Sequence, residues 1–196
     1  MNRALIIFVK NPVLGQVKTR LAAELGDEKA LKIYHALLHY TRQISSQVSA
    51  KRYLYYADEI KENDAWSPIE YCKKLQFGSD LGARMSQAFA EVGEENKVII
   101  GSDCPQLLSE DIEAAFHFLE QYDLVIGPAN DGGYYLLGMK EVHQPLFEQM
   151  QWSTELVFQE TLNRAKGANL KVKVLRELVD LDTLDDLKET GFNLEE

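Results

Sequence analysis

Three short segments of this 196-residue chain hold residues whose chemistry goes beyond folding. The first is Lys10-Asn11-Pro12-Val13-Leu14-Gly15-Gln16-Val17-Lys18-Thr19-Arg20. The chain's formal net charge is -10, yet three of its 21 basic residues gather here. Lys18 and Arg20 can neutralise phosphate oxygens, Arg20 bidentately, and Lys10 adds a third charge. Gly15 permits a tight turn or a close approach of backbone to a ligand. A P-loop needs Gly-Lys-Ser/Thr contiguous and a dinucleotide fingerprint needs GxGxxG, and this segment is neither. The second segment, Gly101-Ser102-Asp103-Cys104-Pro105, offers a carboxylate directly after an apolar run. An aspartate there suits Mg²⁺ or Mn²⁺, hard cations that share oxygen ligands with substrate phosphates.

The third segment, Gly127-Pro128-Ala129-Asn130-Asp131-Gly132-Gly133-Tyr134-Tyr135, combines turn formers with chemistry. Asp131 can accept hydrogen bonds from, or deprotonate, an acceptor hydroxyl. Gly132 and Gly133 allow close backbone approach, and one of the two tyrosines can stack on a ring while alternation buries the other. Smaller signals accompany these. Trp152-Ser153-Thr154 reads as a helix cap behind an aromatic anchor and can close over an acceptor. Arg84, in a Gly-punctuated helix entry, reaches toward a phosphate or base. Asp180 and Asp182 share one side of an extended segment and can complete a metal site with Asp103. Thr183 caps the next helix, whose first turn holds Asp185 and Asp186, where the helix dipole favours negative charge. His35 and His39 are spaced i, i+4 without the glutamate of HExxH, so they read as ordinary helix residues.

The elements that must position these residues follow from hydrophobic period. Leu5–Val9 is a continuous apolar run, as for a strand covered on both faces. Further strands are expected at Tyr53–Tyr56, Val98–Ile100, Leu124–Ile126, Tyr134–Leu137 and Val172–Leu175. Helices are expected at Glu28–Val48, Leu81–Val92, Glu110–Glu120 with Ser109 as N-cap, Ser153–Ala165 with Ser153 as cap, and Leu184–Thr190. Strands alternating with helices imply a mixed, mostly parallel sheet with helices on both faces, whose ligands bind at the carboxyl ends of the strands.

Bulk composition narrows the function. A length of 196 residues predicts a single domain spanning 1–196, and 45% hydrophobic with 27% charged residues is ordinary for a globular chain. The acidic balance argues against a nucleic acid polymer as partner. No run is long enough to span a membrane. Cys72 and Cys104 belong to no CxxC pair, which predicts neither a disulfide framework nor structural zinc and makes the cytoplasm the default compartment.

Taken together, the motifs resemble a family of small glycosyltransferase-like proteins once described as a domain of unknown function. Its members are also labelled as transferases associated with radical-SAM or selenium proteins, or with arsenosugar biosynthesis. The matching text is Lys10-x4-Gly15-x2-Lys18-Thr19-Arg20-Leu21, Leu81-Gly82-x-Arg84-Met85, Gly101-Ser102-Asp103-Cys104-Pro105, Gly127-Pro128-Ala129-x-Asp131 through Gly138, Trp152-Ser153-Thr154 and Asp180-x-Asp182-Thr183. The resemblance covers essentially the whole chain.

It implies the GT-A fold, a Rossmann-like nucleotide-diphospho-sugar transferase architecture. It also implies nucleotide binding by Lys10, Gly15, Lys18, Arg20, Arg84 and Ser102, and acceptor binding by Gly132, Gly133, Tyr134, Trp152, Ser153 and Thr154. Asp103 and Asp131 become the catalytic candidates, with Mg²⁺ or Mn²⁺ on Asp103 joined by Asp180 or Asp182. Asp103 looks like the last aspartate of a DxD, whose first position is here Gly101. The expectation is a metal-dependent glycosyltransferase moving sugar from a nucleotide-sugar to a small acceptor. Two alternatives remain. The Lys/Arg loop and isolated aspartate also resemble nucleotidyltransferases such as 2-phospholactate guanylyltransferase and the molybdenum-cofactor guanylyltransferases. These would use a nucleoside triphosphate and a phosphorylated acceptor and release pyrophosphate. The other alternative is a nucleotide-binding protein without catalysis.

Overall fold

The computed structural model describes residues 2–193. Seven strands form one sheet: β1 (Arg3–Val9), β2 (Lys51–Tyr56), β3 (Tyr71–Leu75), β4 (Asn96–Ile100), β5 (Leu124–Pro128), β6 (Tyr134–Met139) and β7 (Val172–Val174). Their order is β3-β2-β1-β4-β6-β5-β7. Only β6 runs antiparallel, between β4 and β5. Ile6 of β1 lies opposite Tyr53 of β2 on one side and Ile99 of β4 on the other. The chain leaves β1 toward β2 and β3, then returns across it to β4. The loops at the carboxyl ends of β1 and β4 therefore diverge and open a crevice, the usual ligand position in such sheets.

Alternation along β1 explains its unbroken apolar run. Leu5, Ile7 and Val9 join one buried cluster with Ile44, Ile112 and Phe116, whereas Ala4 and Ile6 join another with Met85, Phe89 and Ala165. The helices behind these clusters are α2 (Asp27–Ser46) and α4 (Ser109–Phe118) on one face, and α3 (Leu81–Glu91) and α5 (Val157–Gly167) on the other. The helices thus cover both faces, as expected. A third cluster joins Val17 and Leu21 to Ile33, Tyr34, Leu37 and Leu181. It pins the basic loop and the short helix α1 (Thr19–Leu25) against α2 and the late acidic segment. Burying one such side chain stabilises the loop's position by roughly 1.5–3 kcal/mol.

Several boundaries depart from expectation. β3 and α1 were not anticipated. β3 reads Tyr-Cys-Lys-Lys-Leu, and the lysines that hide its strand character are those of a charged sheet edge, with Lys73 paired to Asp64 and Lys74 to Glu91. Ser109 lies inside α4, and Leu108 is the N-cap, with Asp111 reaching back to its N–H. α5 begins at Val157 rather than Ser153. Ser153 has φ 62°, a left-handed conformation that no helix interior accepts. Trp152 packs against Gly82 instead of leading into a helix. The last helix, α6 (Leu184–Thr190), forms as expected: the Thr183 hydroxyl accepts from Asp186 N, and Asp186 Oδ2 accepts from Thr183 N.

Candidate active site

Lys18 is the centre of the site. It precedes α1 in a left-handed conformation (φ 50°, ψ 44°), which costs a non-glycine residue about 1–2 kcal/mol. The turn before it uses Gly15 at φ 74° and a Gln16 N to Val13 O hydrogen bond. The strained backbone aims the Lys18 side chain inward, where it is 3% exposed. Its Nζ lies 2.5 Å from Asp103 Oδ1 and 3.0 Å from Asp182 Oδ1. Burial alone would lower the ammonium's pKa, but the two carboxylates overcome that and raise it above the usual lysine value. Lys18 is therefore charged at every pH at which the protein would work.

The two carboxylates come from distant parts of the chain and are held independently. Asp103 follows β4, and its carbonyl accepts from Leu181 N at 2.9 Å. Asp182 is fixed from behind by the α6 cap, its N–H donating to Asp186 Oδ2. Burial would raise the Asp182 pKa, yet Lys18 holds it below the usual carboxylate value. Arg20 Nη1 stands 3.9 Å from Asp182 Oδ2 and is largely exposed. Around this cluster lies a cavity of about 200 Å³, lined by Lys10, Gln16, Lys18, Arg20, Asp103 and Asp182, with Tyr34 at its wall.

A second acidic group adjoins the first. The 178–180 segment runs beside 129–131: Ala129 bridges Leu178, and Asp180 N donates to Asn130 Oδ1. Burial, then the charges of Asp103 and Asp131, pushes the Asp180 carboxyl up to about 8. Asp131 Oδ1 accepts from Gly133 N at 2.8 Å, which closes the expected turn.

Among the described residues, no three of His, Cys, Asp and Glu converge into a metal cage. The donor set nevertheless suits a hard cation: Asp180 is repelled by Asp103 and Asp131, and a divalent ion shared with phosphates needs only one or two protein carboxylates. Of the expected metal ligands, Asp103 and Asp182 both pair with Lys18, and Asp182 also faces Arg20, whereas Asp180 makes no ion pair among the described residues.

Of the expected acceptor residues, Tyr134 and Trp152 pack into one cluster. Tyr134 meets Trp152 edge to face, with ring centroids 6.5 Å apart, and the Trp152 ring covers Gly82 so closely that a Cβ there would sit 2.4 Å from it. Tyr135 is the buried partner, its hydroxyl donating to Arg176 O. Gly132, at φ 85°, has its open side filled by the Glu155 backbone, and its carbonyl accepts from Phe158 N. The need for glycine at 132 is thus met by the chain itself rather than by a ligand. Thr154 is exposed, its hydroxyl donating to Gln151 O.

Arg84, on α3, donates to Gly78 O and does not line the cavity. Ser102 is buried beside Tyr34, and Gly15 shapes the turn without lining the cavity. His39 Nδ1 lies 3.2 Å from Arg42 Nη2. Two supports escaped sequence reasoning. The buried Asn11 side chain donates to Glu59 O and accepts from Asp58 N and Glu59 N, anchoring the basic loop's start. Tyr34 carries the hydrogen bonds described below. An asparagine in a loop and a tyrosine on a helix's core face carry no pattern that marks such roles.

Residues 40–154 match the profile of a family described as uncharacterized proteins conserved in bacteria, DUF2064. The chain belongs to that family. Relatives of this DUF2064 protein include the 2-phospho-L-lactate guanylyltransferase of Methanocaldococcus sp. strain FS406-22, 30% identical over 90% of this chain and 76% of the relative. The enzyme of the same name from Methanocaldococcus vulcanius is 26% identical over 94% of this chain and 83% of its own. Among solved structures, a candidate nucleotide-diphospho-sugar transferase from Desulfovibrio desulfuricans G20 superposes with a TM-score of 0.91 at 32% identity, covering 96% of this chain and 86% of that one. The α/β fold read from the sequence is therefore that of the nucleotide-diphospho-sugar transferases. No helix among the described residues of the DUF2064 chain is long and apolar enough to cross a membrane.

Proposed function

We propose that this protein is a nucleotidyltransferase. It would transfer a nucleoside monophosphate from a triphosphate to a small phosphorylated acceptor and release pyrophosphate. The observation that carries this reading is the cavity at the β1–β4 crevice, where Lys10, Lys18 and Arg20 gather beside Asp103 and Asp182. Its volume of about 200 Å³ suits a polyphosphate, below the 300–1,000 Å³ of a site that engulfs a whole drug-sized ligand. The kinship with proteins named 2-phospho-L-lactate guanylyltransferase, over nine-tenths of the chain, supports a triphosphate donor over a nucleotide-sugar. Gly101 supports it too, because it leaves no first carboxylate of a DxD although a side chain there would meet nothing within 4 Å.

In this reading an oxygen of the acceptor's phosphate bonds to the donor's α-phosphorus. The bond from that phosphorus to the β-phosphate's bridging oxygen breaks, and pyrophosphate departs. A phosphate monoester is mostly dianionic near pH 7, so the nucleophile needs no base. Lys18, Lys10 and Arg20 supply positive charge where the leaving group gains negative charge, in a pocket already organised before substrate arrives. Asp103 with Asp180 would hold Mg²⁺ or Mn²⁺, which when bound neutralises phosphate charge. Asp131 then has no proton to remove, and with Asp103 it would strengthen the negative field that draws the cation. The Tyr134–Trp152 pair would receive the acceptor.

The test is incubation of the protein with each common nucleoside triphosphate, Mg²⁺ and a panel of phosphorylated small acids. Pyrophosphate release dependent on the acid supports the reading. Release of nucleoside diphosphate from a nucleotide-sugar, with triphosphates left intact, would return the protein to sugar transfer.

A further inference from the structure

The best-buried polar contact of the site belongs to a residue with no assigned part in it. Tyr34 lies on α2, is 1% exposed, and places its hydroxyl between the loops that follow β1 and β4. The hydroxyl accepts from Lys10 N at 2.9 Å and donates to Lys10 O at 3.0 Å. Ser102 Oγ lies 3.4 Å away, on the opposite bank of the crevice. A phenol has one proton, and here it goes to Lys10 O. The Ser102 hydroxyl is therefore the donor in its contact with Tyr34. Ser102, 4% exposed, thus belongs to the wall of the pocket rather than to its ligand-facing surface.

On the nucleotidyl-transfer reading, we propose that Tyr34 is a positioning residue for polyphosphate binding: its hydroxyl fixes the Lys10 main chain and, through Ser102, the start of the Asp103 loop. Lys10 is exposed, and no ion pair restrains its side chain among the described residues. Its reach into the cavity therefore depends on where its backbone is held. Tyr34 fixes both polar atoms of that backbone at once, from a helix packed into the same buried cluster as Val17 and Leu181. One rigid point thereby sets three parts of the pocket. Burial pushes the Tyr34 hydroxyl up to about 12, so it stays a neutral donor throughout the working range and takes no part in proton transfer.

The experiment uses the full chain and inorganic pyrophosphate with Mg²⁺ as the probe, titrated by calorimetry, alongside steady-state pyrophosphate release. Tyr34→Phe keeps the ring and removes the hydroxyl. The expected result is about tenfold weaker pyrophosphate binding, the size of one or two lost hydrogen bonds. The KM for the triphosphate should rise by a similar factor, with kcat within about threefold. In a Lys10→Ala background the same change should keep only about a threefold effect, the part that passes through Ser102 to the Asp103 loop, because the Lys10 side chain it positions is gone. A purely structural role would lower thermal stability while leaving Kd and KM unchanged, and that outcome overturns the proposal, as does full additivity with Lys10→Ala.

Wild-type protein that binds no pyrophosphate also overturns it. If wild type binds pyrophosphate and Tyr34→Phe binds it weakly, but no triphosphate is cleaved, the transfer reading falls and the role of Tyr34 stands. Should Tyr34→Phe fail to fold, Ser102→Ala decides: about threefold weaker pyrophosphate binding supports the proposal, and unchanged affinity ends it.

Discussion

Removing the Lys18 charge is the perturbation whose consequences can be worked out most fully. The ammonium sits 2.5 and 3.0 Å from two carboxylates and is 3% exposed, whereas Asp103 and Asp182 are 38% and 40% exposed. Deleting one partner of a fully buried ion pair costs about 3–5 kcal/mol because a charge is stranded. Here the stranded carboxylates keep access to water, so rehydration should bring the cost of Lys18→Met down to about 1–3 kcal/mol. The left-handed backbone gives an internal control. Lys18→Gly relieves it and Lys18→Ala does not, so the glycine variant should be more stable than the alanine variant by about 1 kcal/mol, although both lose the charge. Activity should order differently: all three variants lose the cation facing the leaving group, worth about 10²–10³ in rate for a preorganised charge. Urea denaturation and pyrophosphate release measure the two effects separately. Glycine and alanine variants of equal stability would refute the strain, and a Lys18→Met rate within about threefold of wild type would refute the electrostatic role.

Further expectations follow from the same geometry. Asp103→Asn should slow transfer by about 10²-fold or more and weaken Mn²⁺ binding, read by titration with nucleotide present, while wild-type metal affinity would make Asp103 a turn residue. Asp131→Asn should be substantially restored by raised Mn²⁺ if the carboxylate serves the cation's field, whereas a general base would not be rescued. Asp180 binds a proton more tightly in the folded chain, at about 8, than an unfolded aspartate does near 3.8. The folded state therefore holds the extra proton between those values, and metal-free stability should fall as pH rises from about 4 to 8. Asp180→Asn should flatten that slope in thermal melts, and an unchanged slope would remove the cluster's repulsion from the account. Gly132→Ala would bring a Cβ to 2.1 Å from Glu155 O and should cost about 3 kcal/mol or more, whereas a variant of wild-type stability would show that the Glu155 segment yields.

Much of the fold was legible because its strands carry their burial in their composition. The apolar run at Leu5–Val9 announces a strand buried on both faces, and the turn formers of 127–133 announce the hairpin into β6. What escaped was decided by tertiary contacts. The lysines of β3 read as surface until Asp64 and Glu91 pair with them across the sheet edge. Ser153 reads as a cap until Trp152 docks on Gly82 and the chain turns left-handed. The site divides the same way. Lys18, Asp103 and Asp182 were each legible as candidates from residue type and place in the chain. That Lys18 clamps the two aspartates together, and that Asp182 rather than Asp180 shares it among the described residues, depends on distances that no spacing encodes. Gly132 was legible as a place of close backbone approach, but the approach it permits is to Glu155 rather than to a ligand.

Phosphorus NMR of the protein with a nucleoside triphosphate, Mg²⁺ and a panel of phosphorylated small acids decides between nucleotidyl and sugar transfer. The account predicts a pyrophosphate signal growing one for one with a new nucleoside diphosphate diester, and neither signal in the Lys18→Met protein. Triphosphates that stay intact with every acceptor, while a nucleotide-sugar in the same tube yields free nucleoside diphosphate, would contradict it.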